Sequence, residues 1–135
     1  MPGFTTHYIL GMKAYNDLPN NSLKYIISKY RWLYQLGLQG PDIFFYYIPV
    51  LRHRDYRNVG SYMHEHHIRD FFANYLRRLG EIDSRQQREE GLAYFCGYLC
   101  HYIGDSICHP YVYGRIGYDA KAPTTQAHGR HAALE

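Results

Sequence analysis

One stretch of the sequence decides the fold: residues 92–110 read LAYFCGYLCHYIGDSICHP. Apolar residues dominate it as far as Ile103, and two candidate helix caps, Asp83 and Ser84, stand a few residues before it. A helix that is apolar nearly all round belongs in the centre of a domain. The sequence therefore predicts that this helix is the central, buried one.

Three further stretches show the three- and four-residue apolar spacing of amphipathic helices. The first is a short piece around residues 6–15, and the second begins near Asn21 and is stopped by Gly37 and Gly40. The third is a single helix over about residues 61–79. Its apolar stripe consists of Ile68, Phe71, Phe72, Tyr75, Leu76 and Leu79.

No alternating strand pattern and no internal repeat accompanies these helices. Residues 43–48 fit a strand or a buried helix, and residues 111–126 lack periodicity and are predicted to be loop. The expected fold class is all-α, a compact multi-helix domain. The 135 residues suffice for one domain over 1–135. Because the chain ends at Glu135 in what reads as the opening of another helix, we expect that the C-terminal part of this domain is missing.

Composition excludes several classes of protein. Apolar residues are 46% and charged residues 20%, which excludes a disordered chain or a coiled coil. The net charge of +3 is too small to indicate a nucleic-acid binder. No membrane-spanning run and no secretory signal is visible. The three cysteines, Cys96, Cys100 and Cys108, read as reduced core thiols, so we expect a cytoplasmic protein.

His101, Asp105 and His109 form the strongest chemical pattern. Residues four apart on a helix drift only about 40° around its axis, so the three side chains would share one face. Burying two imidazoles and a carboxylate together is costly unless something satisfies them, and zinc binds both donor types. The alternative is a hydrogen-bonded core His–Asp pair, with His109 ending the helix before Pro110. This triplet alone leaves both interpretations open.

Histidines on the predicted 61–79 helix extend the pattern. His64 would lie on the same side as Phe71 and Phe72 and so face the interior. On the same continuous helix, His66 would fall on the polar face and be solvated. His67 would be an ordinary core histidine in preference to a residue that supports the ligands.

Other candidates are weaker on their own. His131 and Glu135 are four apart and could present nitrogen and oxygen to one ion, and His128 could substitute for His131. Asp42 follows Gly40-Pro41, a position that favours a helix or turn cap. His7 begins an apolar segment and does not by itself indicate a site.

Taken in order, these residues resemble the zinc-dependent phospholipase C family. The resemblance is closest to its intracellular, bacterial-type branch and covers nearly the whole chain. It rests on MPGFTTH (1–7), GLQGPDIFFY (37–46), GSYMH (60–64) and HYxxDxxxHPY (101–111), followed by HxxxE (131–135). It implies an all-helical fold around a buried metal cluster, an architecture related to that of single-strand-specific zinc nucleases.

The resemblance also implies which residues hold metal. Two to three Zn²⁺ ions are expected. The implied ligands are Asp42, His64, His101 and Asp105 for one ion, Asp105 and His7 for a second, and His109, His131 and Glu135 for a third. Asp42 is in addition the implied general base.

The implied activity is zinc-dependent, phospholipase C-like hydrolysis of phosphodiester bonds by metal-activated water. The substrate would be a phospholipid or another phosphodiester, with peripheral membrane contact possible. Two alternatives remain open. One is a single-strand nuclease-like zinc phosphodiesterase, for which nucleic acid would be the substrate. The other is a non-catalytic helical binding module stabilised by metal.

Overall fold

Helices make up all the regular structure of the residues that the computed structural model describes, which are 4–46 and 58–116. The predicted all-α class is confirmed. The elements are α1 (Phe4–Asp17), α2 (Ser22–Lys29), α3 (Arg31–Gly37), a 3₁₀ segment (Gly40–Tyr46), α4 (Val59–Glu65), α5 (Ile68–Gly80) and α6 (Arg85–Ile116).

The central helix is α6, as predicted, and its 32 residues contact α1, α2, α3, α5 and the 3₁₀ segment. The Ser84 hydroxyl accepts a hydrogen bond from the Gln87 backbone N–H at 3.4 Å at its start. Pro110 does not end the helix, so the loop prediction is wrong for residues 111–116. Although Pro110 removes one backbone hydrogen bond, Val112 beyond it is buried. Residues 117–126 lie outside the described part.

Two glycines let α3 cross α6 with their backbones in contact. A Cβ on Gly37 would lie 2.9 Å from the Tyr98 backbone nitrogen and 3.1 Å from the Gly97 Cα. A Cβ on Gly97 would in turn strike the Tyr34 carbonyl oxygen. This close crossing brings Leu38 and the 3₁₀ segment against the middle of α6.

The predicted single helix beyond Asn21 is wrong, because Tyr30 interrupts it between α2 and α3. Its backbone leaves the helical region at φ −114° and ψ 42°. Neither glycine nor proline marks the break, and Tyr30 is itself buried, with its hydroxyl 3.5 Å from Glu89. Asn21 caps the start of α2, since its side chain accepts a hydrogen bond from the Lys24 N–H at 3.0 Å. The break lets Ile27 on α2 join the core cluster that also contains Tyr34 and Leu38.

The predicted helix over 61–79 is also interrupted. His66 is extended, with φ −123° and ψ 140°, and His67 is left-handed, with φ 55° and ψ 25°. The His66 N–H bonds to the Tyr62 carbonyl and closes α4. Because two residues here leave the helical region, the faces of α4 and α5 are not in register.

Aromatic rings join α5 to α6. The Phe71 and Tyr98 rings are 5.0 Å apart, and the Phe72 and Phe95 rings 5.6 Å apart, edge to face. The predicted stripe is confirmed apart from Leu76, which is exposed. No residue of α5 is fully buried, so the apolar face of this helix is only partly covered.

The 3₁₀ segment replaces the strand or buried helix expected at residues 43–48, as far as Tyr46. Gly40 takes a positive φ of 52°, and the Asp42 N–H bonds to the Gln39 carbonyl at 3.1 Å. This tight turn leaves Ile43 and Tyr46 exposed while Phe45 turns inward. Residues 47 and 48 lie outside the described part.

The three cysteines are free, and each is half-buried. Cys96 and Cys100 pack against the core cluster of Ile27, Tyr34 and Leu38. Burial raises the pKa of the Cys96 thiol to about 11, which keeps it protonated and unreactive.

Candidate metal centre

Helix α6 presents His101, Asp105 and His109 on one face, as their spacing predicts. Asp105 lies between the two rings, with Oδ2 3.3 Å from His101 Nε2 and Oδ1 3.5 Å from His109 Nε2. His101 and Asp105 are buried, and His109 is half-buried. The alternative in which His109 merely ends the helix is wrong, because α6 continues past it.

Two other elements bring Asp42 and His64 to the same place. The 3₁₀ segment carries Asp42, whose Oδ1 is 3.0 Å from His64 Nε2 and 3.7 Å from His101 Nε2. Helix α4 carries His64, whose Nε2 is 3.2 Å from Asp105 Oδ2. Asp42 therefore faces histidines, although its position after Gly40-Pro41 favoured a cap.

The donor atoms of these residues lie at separations typical of the ligands of one zinc ion. With bonds of about 2.0–2.1 Å, tetrahedral donors lie about 3.4 Å apart. Five donor–donor separations, including 3.3 Å between the two histidine Nε2 atoms, lie between 3.0 and 3.7 Å. Two imidazoles and two carboxylates are a donor set that zinc accepts, so these residues fit the ion.

Backbone carbonyls orient both imidazoles for this role. His64 Nδ1 donates to the Gly60 carbonyl at 2.7 Å, and His101 Nδ1 donates to the Leu38 carbonyl at 3.0 Å. A carbonyl can only accept, so the hydrogen sits on Nδ1 in each ring. In the neutral ring, Nε2 then carries the lone pair, and both lone pairs point toward the carboxylates.

His7 extends the cluster beyond Asp105. It comes from α1 and is buried, its ring stacks on that of His101 with centroids 3.8 Å apart, and its Nε2 is 3.3 Å from Asp105 Oδ1. Because Oδ2 faces His64 and His101 while Oδ1 faces His7 and His109, Asp105 stands between two groups of donors. His7, His101 and Asp105 form a second set that could hold an ion.

Several buried polar atoms in the cluster lack a hydrogen bond of acceptable geometry within the described residues. They are Nδ1 and Nε2 of His7, Oδ1 of Asp42, and both carboxylate oxygens of Asp105. Such atoms are costly in a protein interior unless another partner satisfies them. A cation between them would do so, which is a second sign that the cluster fits metal.

The cluster shifts the pKa of its own groups strongly. Burial lowers the pKa of His64, but the close approach of Asp105 and Asp42 and the Gly60 carbonyl outweigh it and raise the pKa to about 10. Burial likewise raises the pKa of the Asp105 carboxyl, but His101, His64 and His7 outweigh it and hold that pKa well below its usual range. The two carboxylates therefore stabilise a positive charge placed between them.

The neighbouring histidines lie outside the cluster. His66 is exposed as predicted, and its ring stacks on Tyr62. His67 is exposed, so the prediction of a core histidine is wrong. That prediction extended one helix through 61–79, and the break at His66 and His67 separates the two halves. His64 does face the interior, but for a different reason: α4 itself turns it toward Asp42.

His128, His131 and Glu135 lie outside the described residues, so the ligands expected for a third ion stay predictions. Two residues beside the cluster were not predicted from the sequence. One is Gly40, whose added Cβ would lie 2.8 Å from His101 Nε2 and nearer still to the ring carbons. The other is Phe45, whose ring stacks 5.6 Å from His64. The Gly40-Pro41 pair was the available sign of a special backbone here.

None of the described helices has both the length and the apolar character that crossing a membrane requires. Comparison with curated proteins and comparison with solved structures each gave no match. The model of one family, described as zinc dependent phospholipase C, matches residues 6–135. Because the match covers nearly all of the sequence and the buried histidines and aspartates fit zinc, the chain belongs to the zinc-dependent phospholipase C family.

Proposed function

We propose that this protein is a zinc-dependent hydrolase of phosphodiester bonds that acts on phospholipids in the manner of a phospholipase C. One observation carries the proposal: donors from three separate elements converge at separations of 3.0–3.3 Å, with Asp42 and His64 facing His101 and Asp105. A family match alone would be compatible with an eroded site. The convergence of intact donors favours a working one.

The proposed ligands form separate groups around the two carboxylate oxygens of Asp105. Asp42, His64, His101 and Asp105 would hold one ion, and His7 with Asp105 a second. His109, together with His131 and Glu135, would hold the third, so two to three ions per chain are proposed. The whole of 1–135 would form the one domain that carries them. Bound zinc would supply an acidified water and neutralise charge on the phosphate.

Accessibility sets the side from which substrate approaches. The side chains of His7 and His101 are each 1% exposed, whereas those of Asp42 and His64 are 16% and 15% exposed. The first two close the floor of the cluster, and the second two border solvent. A phosphodiester would therefore meet the site from the side of Asp42 and His64.

Asp42 is the proposed general base. Its carboxylate is the more accessible of the two in the cluster, and with Oδ1 on the ion its second oxygen would be the one to receive a proton. A carboxylate in this position can orient a water molecule and accept its proton. His64 and its neighbours hold that carboxylate in place, while Phe45 packs on the His64 ring and limits its motion.

The test measures metal content and turnover on the same samples. Protein purified without chelator is analysed for zinc and assayed for phosphocholine release from phosphatidylcholine. Asp42→Asn is expected to reduce turnover about 100-fold or more, because general-base catalysis contributes 10²–10⁴-fold. His101→Ala and Asp105→Ala are expected to lose zinc and turnover together, since each removes donors from the centre of the cluster.

Asp17→Asn is the matched control for Asp42→Asn, because this exposed aspartate lies at the opposite end of α1 from His7 and outside the cluster. It is expected to keep both zinc and turnover. Cleavage of single-stranded DNA without cleavage of phospholipid would replace the proposal with the nuclease function. Folded, zinc-loaded protein that hydrolyses no phosphodiester would refute catalysis and leave a metal-stabilised binding module.

A further inference from the structure

A cavity of about 270 Å³ lies beside the metal centre, between α4, α5 and α6. His64 and His101 belong to its wall, so the cavity and the cluster share two side chains. The rest of the wall is mostly aromatic and aliphatic. Its apolar lining includes Tyr62, Ile68, Phe71, Phe72, Tyr98 and Tyr102.

The incomplete burial of α5 explains why space remains here. Phe72 reaches α6, with its ring 5.8 Å from Tyr98 and 5.7 Å from Tyr102, yet no residue of α5 is fully buried. Apolar surface left uncovered in this way costs free energy in water. A ligand that brings apolar surface into the cavity would recover it.

The charges around the cavity argue against an ionic occupant. No lysine or arginine is among the described residues that line it. Its one carboxylate, Asp70, is 69% exposed and lies 3.3 Å from His67 Nδ1, so it stands at the rim and already has a partner. A second phosphate would find no cation here, and an organic cation would find only aromatic faces and no buried carboxylate in the lining.

We propose that this cavity, hereafter the chain pocket, binds an aliphatic chain of the substrate while its phosphate lies at the metal centre. The proposal rests on the proposed function and specifies the substrate further. At roughly 30 Å³ per water-sized group, the volume accommodates about nine such groups, which corresponds to a chain of about eight or nine carbons. A longer acyl chain would leave its far end outside.

The experiment uses alkylphosphonates, whose carbon–phosphorus bond is not hydrolysed by phosphodiesterases. Calorimetry would give the Kd of butyl-, octyl- and dodecylphosphonate for the zinc-loaded protein, below their micellar concentrations. We expect the affinity to rise about three- to fourfold per methylene from butyl to octyl, because each buried methylene contributes by the hydrophobic effect. From octyl to dodecyl we expect little further gain.

Two variants fill the chain pocket and one serves as the matched control. Ile68→Trp, and Asn74→Trp at the rim, are expected to remove the gain from butyl to octyl while zinc content and butyl affinity persist. Leu76 is on the same helix, exposed and outside the lining, so Leu76→Trp should behave as the parent protein. Having two filling variants guards against the misfolding of either one.

Three results would overturn the chain pocket: affinity independent of chain length, a gain that survives in both filling variants, or tighter binding of trimethylammonioethylphosphonate than of octylphosphonate. The last would identify an organic cation as the occupant. Chain-dependent binding without turnover of any phosphodiester would keep the pocket and refute the proposed function. Turnover of a phosphodiester together with binding that does not depend on chain length would support the proposed function and refute the chain pocket.

Discussion

Gly40 supplies no ligand, yet the metal centre depends on it. Its φ of 52° is costly for a residue with a side chain, by about 1–2 kcal/mol, and a Cβ there would enter the space of the His101 ring. The ring cannot retreat without losing the Leu38 carbonyl at 3.0 Å. Gly40 thus holds both the imidazole of His101 and, two residues later, the carboxylate of Asp42.

Gly40→Ala is therefore expected to weaken zinc binding by about 10- to 100-fold, the usual consequence of disturbing the residues that orient a metal ligand. The measurement is zinc affinity by chelator competition, together with the absorption bands of the Co²⁺-substituted protein, which report on ligand geometry. Gly80→Ala is the control, because no atom lies within 4 Å of its added Cβ. Unchanged affinity and spectrum in folded Gly40→Ala would show that the ring tolerates the methyl group.

At this scale the sequence predicts the identity of the candidate ligands better than their orientation. The four-residue spacing of His101, Asp105 and His109 places them on one face because a helix imposes that geometry whatever surrounds it. The hydrogen bonds that decide which ring nitrogen faces the cluster come from carbonyls of Leu38 and Gly60. A backbone carbonyl has no residue identity to read, so these partners emerge only from the fold.

The joint between α4 and α5 is the element that most clearly departs from the sequence pattern. Apolar residues continue at helical spacing through it, and no glycine or proline interrupts them, so periodicity alone predicts one helix. Yet His67 has a left-handed backbone, and its ring is exposed with only Asp70 as a partner, an exposed pair that contributes little. Something other than local preference holds this conformation, and the contacts of α4 with the 3₁₀ segment are the available cause.

Two glycine substitutions at adjacent positions test the joint. His67→Gly is expected to increase the free energy of unfolding by about 1 kcal/mol, because it relieves a left-handed residue. His66→Gly is expected to decrease it by about 0.5–1 kcal/mol, because His66 is extended and glycine only adds freedom to the unfolded chain. Urea denaturation of the zinc-loaded proteins measures both. If the helix were continuous, each would cost about 1 kcal/mol, so equal losses would contradict the break.

At the scale of the whole molecule, the all-α class and the central place of α6 could be predicted because both follow from hydrophobic patterning summed over long stretches. The breaks at Tyr30 and at His66 and His67 could not, because each is two residues or fewer and leaves the apolar spacing intact. The convergence of α1, the 3₁₀ segment and α4 on one face of α6 was accessible only through the family resemblance. No local pattern links His7 to Asp105 across the chain.

Because these parts of the chain converge at the cluster, bound metal is expected to stabilise the fold as well as to serve the chemistry. The core cluster of Ile27, Tyr34 and Leu38 joins α2, α3 and α6, whereas α4 has Gly60 as its one buried residue and α5 has none. The parts of the chain that carry His64 therefore have little apolar burial of their own. Their attachment to α6 relies on the cluster, in which loss of zinc would replace a divalent cation by the single charge of a protonated His64 between two carboxylates.

Removal of zinc is consequently expected to destabilise some helices more than others. A ligand that binds only the folded state stabilises it by about 4 kcal/mol at a thousand times its Kd, and the loss should fall on the elements that the ion holds together. Hydrogen exchange followed by mass spectrometry, with and without chelator, measures this along the chain. Protection is expected to drop most in the 3₁₀ segment and α4 and to persist in α2, α3 and the adjoining part of α6, which the apolar core holds without metal. An even loss along the chain would mean that zinc is coupled to the core as a whole, and unchanged protection would mean that the apolar contacts alone hold α4 in place.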